Sequence, residues 1–367
     1  MGFLSSRVGR YLTMRTVTGV FVALGGVLVS ILLIDLVEQL RSVGQHVDLS
    51  PWEAVRLTLL KTPMLIEQTL PFVVLAGTMI AMIGLNRSSE LVALRAAGVS
   101  AWRFLLPPAF VGAVLGLLVI TMLNPLGSWL YQGFEQERAD LLSEARQAPA
   151  APHGVWIRQG DESGQVVIHA DSVDATGTKL RNTSLMFFQV QDGTLRIDRR
   201  MRAAEADLRP GFWQLTDVLE ATPGAAPQRE AHLAIPTNID ASELLDHFVA
   251  PATLSFWALP GFIGDAKRAG FAPTRYELKW HGLLAYPLML AAMAGLGAVF
   301  SLRLQRLGSL ARWGAAGVGL GLFLFFYSQL AGAFAITQTV PAVVAAWAAP
   351  LAGAFVALAM VAFLEDG

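Results

Sequence analysis

The 367-residue chain sets 27 Lys and Arg against 28 Asp and Glu, a formal net charge of −1, and 54% of its residues are hydrophobic while 15% are charged. Soluble domains carry roughly 25% charged residues, so the composition points to an integral membrane protein, and the balanced charge argues against a dedicated nucleic-acid partner. Cysteine is absent, which excludes disulfides, thiolate nucleophiles and cysteine-based metal centres together.

A helix needs about 20 apolar residues to cross a hydrocarbon core of about 30 Å. Residues 17–34 form the first such run, behind Arg7, Arg10 and Arg15. No small-residue cleavage site follows it, and Asp35 and Glu38 stand where cleavage would fall, so it reads as a span rather than a signal peptide. The second span is 64–85, entered through Pro63, and the third is 104–123, bounded by Pro125. The pattern then lapses and returns at 283–302, 314–336 and 343–364. Trp102, Trp129, Trp280, Trp313 and Trp347 fall near span ends, as interfacial rings do. Gly112 with Gly116, and Gly317 with Gly321, have the spacing that permits close helix approach.

Orientation follows from Lys and Arg in the short loops. One side carries Arg7, Arg10, Arg15, Arg87, Arg95, Arg103, Arg303, Arg306 and Arg312; the other carries Arg41, Arg56 and Lys61. This places both termini in the cytoplasm and the insertion between spans 3 and 4 outside.

That insertion has strand periodicity. Residues 155–159, 165–173, 184–191, 194–207 and 212–220 are rich in β-branched and aromatic side chains, with a further strand near 231–236. Turn signals at Gly160-Asp161, Gly177, Asp192-Gly193 and Pro210-Gly211 separate them, and 223–227 reads as a linker. Regular short strands of this kind suggest a small β-sandwich or jelly roll over 125–245. After Ser242 the pattern turns helical, and 256–269 places Phe256, Leu259, Phe262, Ile263 and Ala266 at helix spacing. It is either an amphipathic connector (246–278) returning to the membrane or a capping helix of the β-domain.

Enzyme signatures are missing: no G-x-x-x-x-G-K-[ST], H-E-x-x-H or G-x-S-x-G occurs. The six histidines are scattered, with no pair at metal-ligand spacing. Two other places carry chemistry. Between spans 2 and 3, residues 86–103 offer Ser88 or Ser89 as a helix cap, Glu90 in the first turn, Leu91, Leu94 and Ala97 on one face, and Gly98 as a stop. A second helix can begin at Ser100. This short element is either a docking site for a soluble partner or a plain connector. At the outer end of span 1, Asp35, Glu38 and Arg41 lie at successive helical steps, with Lys61 just before span 2. They form either a basic rim suited to an anionic amphiphile such as a phosphorylated lipid, or interfacial snorkelling.

Four stretches carry a resemblance to a known family: LVEQLR (36–41), SELVALRAAG (89–98), FWQLTDV (212–218) and RYEL (275–278). Together with the layout of three spans, a β-domain and three spans, they resemble the LptF/LptG permeases of the lipopolysaccharide-export ABC transporter, over essentially the whole chain. LVEQLR and RYEL look closer to the LptG branch. The resemblance implies six transmembrane helices, an inserted periplasmic jelly roll, an inner-membrane location, and a subunit that extracts lipopolysaccharide and hands it to a periplasmic bridge.

It further implies a sister permease (LptF), a dimeric cytoplasmic ATPase (LptB) that alone hydrolyses ATP, a single-span LptC and the bridge protein LptA. This chain would bind no cofactor, and its other contacts would be membrane lipids. Glu90, Leu91, Leu94, Arg95 and Gly98 then look like the ATPase-coupling helix (about 86–100). Arg41, with Lys61, Glu38 and Arg138, looks like the substrate-phosphate rim. The chain departs from the pattern where Ser42 follows Arg41, where Met64 follows Pro63, and where Gln132 and Glu135 replace arginines, leaving Arg138 as the nearest basic residue. Two other functional classes are a lipid-headgroup enzyme and a non-transporting scaffold displaying a β-domain. An LptF-type seat in the same heterodimer is a further reading.

Overall fold

A computed structural model of the chain describes residues 6–45, 49–145, 155–160, 164–173, 179–191, 194–209, 211–221, 226–237, 250–268, 272–307 and 310–366. The turns expected at Asp161, Gly177, Asp192-Gly193 and Pro210, the 223–225 part of the linker, and the helical onset after Ser242 lie outside the described residues. The chain divides into two compact units, one of Met1–Arg138, Ser255–Trp257 and Thr274–Gly367, the other of Ala139–Leu254 and Ala258–Pro273.

The first unit is a helical bundle. Its helices are α1 (Arg7–Ser42), α2 (Pro51–Arg87), the short α3 (Glu90–Ala96), α4 (Ala101–Leu118) and α5 (Asn124–Ala145), which continues into the second unit. After the insertion come α7 (Thr274–Leu307), α8 (Leu310–Ile336) and α9 (Ala342–Asp366). Among the described residues, six helices are long and apolar enough to cross a membrane. The expected spans are all present, and the helices overrun them because caps rather than hydropathy set the ends. Ser6 accepts from Gly9 N–H at 3.0 Å to start α1. Ser50 and Glu53 form a reciprocal capping box at the start of α2, with Pro51 in the first turn. Pro63 therefore lies inside α2 and does not open it.

Pro125 does not end the third span either. A π-turn over Val119–Leu123 joins α4 to α5, and Asn124 N–H reaches back five residues to the Val119 carbonyl. Such a turn inserts one residue into the helix without breaking it.

Close packing follows the small residues. A methyl group at Gly112 or Gly116 would collide with the α7 backbone at Leu290 or Pro287, and one at Gly19 with the α2 backbone at Gly77. Gly321 approaches the Leu75 side chain, and Gly317 approaches Met79 and Phe300. The mid-bundle core includes Val74, Met79, Leu290, Met293, Phe300 and Leu324. A second cluster, at the end of the bundle that carries the α2–α4 loop, includes Leu12, Met82, Leu85, Leu91, Phe104 and Val299.

The second unit contains a six-stranded antiparallel sheet: β1 (Val155–Gly160), β2 (Gly164–Val173), β3 (Lys179–Gln191), β4 (Thr194–Arg209), β5 (Phe212–Ala221) and β6 (Gln228–Pro236). Each strand pairs with its chain neighbour in the order β1-β2-β3-β4-β5-β6, an up-and-down sheet without Greek-key crossings among the described strands. One line of interruption crosses it. The ladders skip the facing positions Asp171/Asn182, Asn182/Ala204, Ala204/Asp217 and Asp217/Ala231. Asn182 and Asp217 there adopt positive φ, 49° and 53°. Across this crease the buried positions change parity, from Leu180 to Thr183 and Leu185 on β3, and from Trp213 and Leu215 to Val218 on β5. The period-2 signal of β3 therefore breaks at Asn182, which is why the strand expected from residue 184 in fact begins at Lys179. The amphipathic helix is α6 (Leu259–Arg268), with Leu259, Phe262, Ile263 and Ala266 buried and Phe256 outside it.

Candidate functional site

Three places in the helical unit carry the chemistry anticipated from sequence or missed by it. The first is the loop between α2 and α4. Leu91 is fully buried in the cluster with Leu12, Leu85 and Phe104, and Leu94 packs against the same cluster, so α3 is pinned along one face. Its other face presents Val92 at 53% exposure, with Ala93, Ala96 and Ala97 also exposed. Gly98, at φ +81°, ends the helix: its N–H bonds the Arg95 carbonyl at 3.0 Å, and Val99 N–H bonds that of Leu94 at 3.2 Å. This is a Schellman stop, for which the left-handed residue is a glycine. Arg95 is half-buried.

The start of α3 departs from expectation. Neither serine caps it: Ser89 is left-handed at φ 57° with no side-chain cap bond. Ser88 instead donates to Glu90 Oε1 at 2.9 Å. Glu90 Oε2 accepts from the Tyr11 hydroxyl at 2.7 Å, and that oxygen in turn accepts from Arg15 Nε at 2.9 Å. These donors, Tyr11 first, hold the Glu90 carboxyl below its ordinary range. Thus an anion on the loop is tied to the N-terminal end of α1. Ser100 also makes no cap bond; Ala101 N–H is instead satisfied by Glu365 Oε2 at 2.8 Å, from the far end of α9.

The second place is the C-terminal end of α1. Asp35 is buried and forms an ion pair with Lys61 at 2.6 Å, while Gln39 Nε2 donates to its other oxygen at 3.3 Å. Lys61 also lies over the Phe134 ring, 5.8 Å from its centre. Arg41 and Glu38 are exposed on α1. Arg138, one helical turn after Phe134 on α5, is half-buried and its Nε has no hydrogen-bond partner among the described residues. Of the four expected rim residues, Lys61 and Arg138 thus flank Phe134, and Lys61 is already neutralised by Asp35.

Sequence reasoning missed the third place, a cavity of about 580 Å³ between α2, α7, α8 and α9. Phe72, Met289, Met293 and Phe325 line it, with Glu67 and Lys279 as charged members. Pro71 has no N–H to give the Glu67 carbonyl four residues back, and the Tyr286 hydroxyl from α7 donates to that oxygen instead. Glu67 Oε2 accepts from Asn124 Nδ2 at 3.0 Å, and the buried Asn124 accepts Phe256 N–H at 2.8 Å. The available signal was a lone glutamate inside an apolar run, which in a membrane marks a polar pathway or cavity.

A family model described as lipopolysaccharide export system permease LptF/LptG matches residues 10–362. The chain is also similar to the lipopolysaccharide export system permease protein LptG of Haemophilus influenzae, 26% identical over 320 residues that cover 85% of this chain and 86% of that protein.

Proposed function

The chain belongs to the LptF/LptG family of lipopolysaccharide export permeases, and from that premise we propose that it fills the LptG-type seat of a transporter that lifts lipopolysaccharide out of the inner membrane. It is a multi-pass membrane protein with six spanning helices and an inserted β-domain. In this reading its sister is an LptF-type permease, and ATP is hydrolysed by a separate dimeric ATPase of the LptB type. The lipid passes through LptC-type and LptA-type proteins on the far side of the membrane. The chain itself binds no nucleotide.

The observation that carries the reading is the tether between Glu90 and Tyr11. ATPase closure acts on the α3 loop, through Glu90, Arg95 and the exposed face around Val92, with Leu91 and Leu94 fastening the loop to the bundle and Gly98 setting its exit. A push there reaches α1 directly, because Glu90 is bonded to Tyr11 and lies 4.0 Å from Arg15. The apolar cavity between α2, α7, α8 and α9 supports a role in holding acyl chains. At the rim, exposed Arg41 is the first cation a lipid phosphate meets. Lys61 acts only once a phosphate competes with Asp35, while Arg138, one turn beyond Phe134, has its Nε free among the described residues. Glu38 sets the charge balance beside Arg41.

The test is co-purification of the chain with the ATPase and sister permease, wild type against Glu90→Arg. Wild type retains both, and the variant selectively loses the ATPase while the sister permease stays bound. Retention of the ATPase by Glu90→Arg would overturn the coupling role.

A further inference from the structure

The outward face of the β-sheet has a polar site of its own. Where the crease bends β2 to β6, outward side chains line a cavity of about 640 Å³. Arg200 and Arg202 stand two residues apart on β4, hence on one face, and both are exposed. Arg229 reaches the same cavity from β6, and Asp171 from β2.

The carboxylates there are unevenly shared. Asp217 is committed to Arg229 by hydrogen bonds of 2.7 and 2.9 Å. This pairing holds the Asp217 carboxyl below its ordinary range and the Arg229 guanidinium above its own. Ser184 faces Arg202 directly in the β3–β4 register, yet its hydroxyl accepts from Arg200 Nε at 3.3 Å. That bond leans Arg200 along the strand toward Arg202. Neither arginine has a carboxylate partner among the described residues. Like charges side by side on a sheet repel, and two convergent guanidiniums form a fork that a doubly charged oxyanion satisfies. Around the fork, Asp171, Asn182 and Ser184 offer acceptors and donors suited to hydroxyl groups, and Leu219, 43% exposed, gives a small apolar floor.

We propose that this groove binds a phosphate monoester carried on a sugar, with Arg200 and Arg202 taking the phosphate oxygens and Asp171 and Asn182 the sugar hydroxyls. The site stands apart from the transport reading, because it is built wholly from the sheet. Its ligand is either a soluble sugar phosphate or a phosphorylated sugar that heads a lipid.

The experiment is calorimetric titration of the full-length chain in detergent with glucose 6-phosphate, glucose, inorganic phosphate and micellar lipid A. Glucose 6-phosphate binds and glucose does not, and Arg200→Gln or Arg202→Gln weakens binding about tenfold, the scale of one charge-assisted hydrogen bond. Asp171→Asn, which replaces the charged acceptor of the sugar hydroxyls with a neutral amide, weakens glucose 6-phosphate binding while the thermal unfolding midpoint stays at the wild-type value, a combination that misfolding would not produce. Arginine-dependent binding of lipid A alone assigns the phosphate sugar to a lipid headgroup, and binding of glucose 6-phosphate assigns recognition to the sugar phosphate itself. Absence of binding by both, binding of inorganic phosphate as tight as that of glucose 6-phosphate, or binding unchanged in the Arg200→Gln/Arg202→Gln double variant overturns the proposal.

Discussion

Lys61 on α2 places its Nζ 2.6 Å from Asp35 Oδ1 on α1, and the carboxylate it meets is buried. The lysine that the sequence offers either to a phosphate or to interfacial snorkelling is half of an inter-helix ion pair. In the proposed reading a phosphate at this end of α1 would have to outcompete Asp35 for Lys61, whereas exposed Arg41 would be open to it from the start.

Removing one member of such a pair is worse than removing both, because it strands a buried charge. Lys61→Met should cost about 3 kcal/mol of bundle stability, the scale found when one partner of a buried pair is deleted. Asp35→Asn in the same chain should restore most of it. Thermal unfolding of the wild type and the two variants in detergent checks this; equal loss in the single and double variants would show that no buried charge is stranded.

The Glu90 carboxyl is depressed by Tyr11 and Ser88. Its contacts are therefore fully present above the ordinary glutamate range and are lost as pH falls through the lower folded-state value. Carboxyl-carbon NMR of a chain labelled at glutamate should show Glu90 titrating below free glutamate. Tyr11→Phe should move its midpoint upward, and an unmoved midpoint would remove Tyr11 from the tether.

Gly116 packs on the α7 backbone at Pro287, whereas Gly25 on α1 has open space around the position of its missing side chain. Gly116→Leu should destabilise the bundle by about 1–3 kcal/mol or more, the range for overpacking. Gly25→Leu should leave the unfolding midpoint almost unchanged. The contrast between two glycine-to-leucine changes separates helix packing from intrinsic helix propensity.

Glu365 supplies the N-cap that Ser100 fails to provide for α4. Glu365→Ala should cost about 1 kcal/mol, as other lost caps do. The Ala101 amide should then exchange its hydrogen faster while amides in the middle of α4 keep their protection. Unchanged exchange at Ala101 would mean that water replaces the carboxylate at no cost.

Much of this fold is legible in order along the chain. All six spans, the strands of the inserted sheet and the buried face of α6 follow from apolar runs, period-2 alternation and 3.6-residue spacing. Several misses in the helical unit share one cause, which is that partners distant in sequence satisfy groups that local rules leave open. Pro71 lies inside the second span, and the carbonyl it frees is bonded by Tyr286 from another helix. Ser88 and Ser89 read as caps until Tyr11, 79 positions away, is seen holding Glu90. The polar link from Glu67 through Asn124 to Phe256 joins three segments that no window of sequence brings together.

The π-turn at Val119–Leu123 also sets a phase. One residue beyond the α-helical repeat advances every later side chain by about 100° around the axis, so Phe134 and Arg138 face where they do because of a single surplus residue upstream. Deleting any one of those five residues would leave a continuous helix. It would also swing the far end of the third span through more than a quarter turn, carrying the Phe134 ring away from Lys61. The rim is thus indexed by residue count, and its geometry can be reset without altering any residue that forms it.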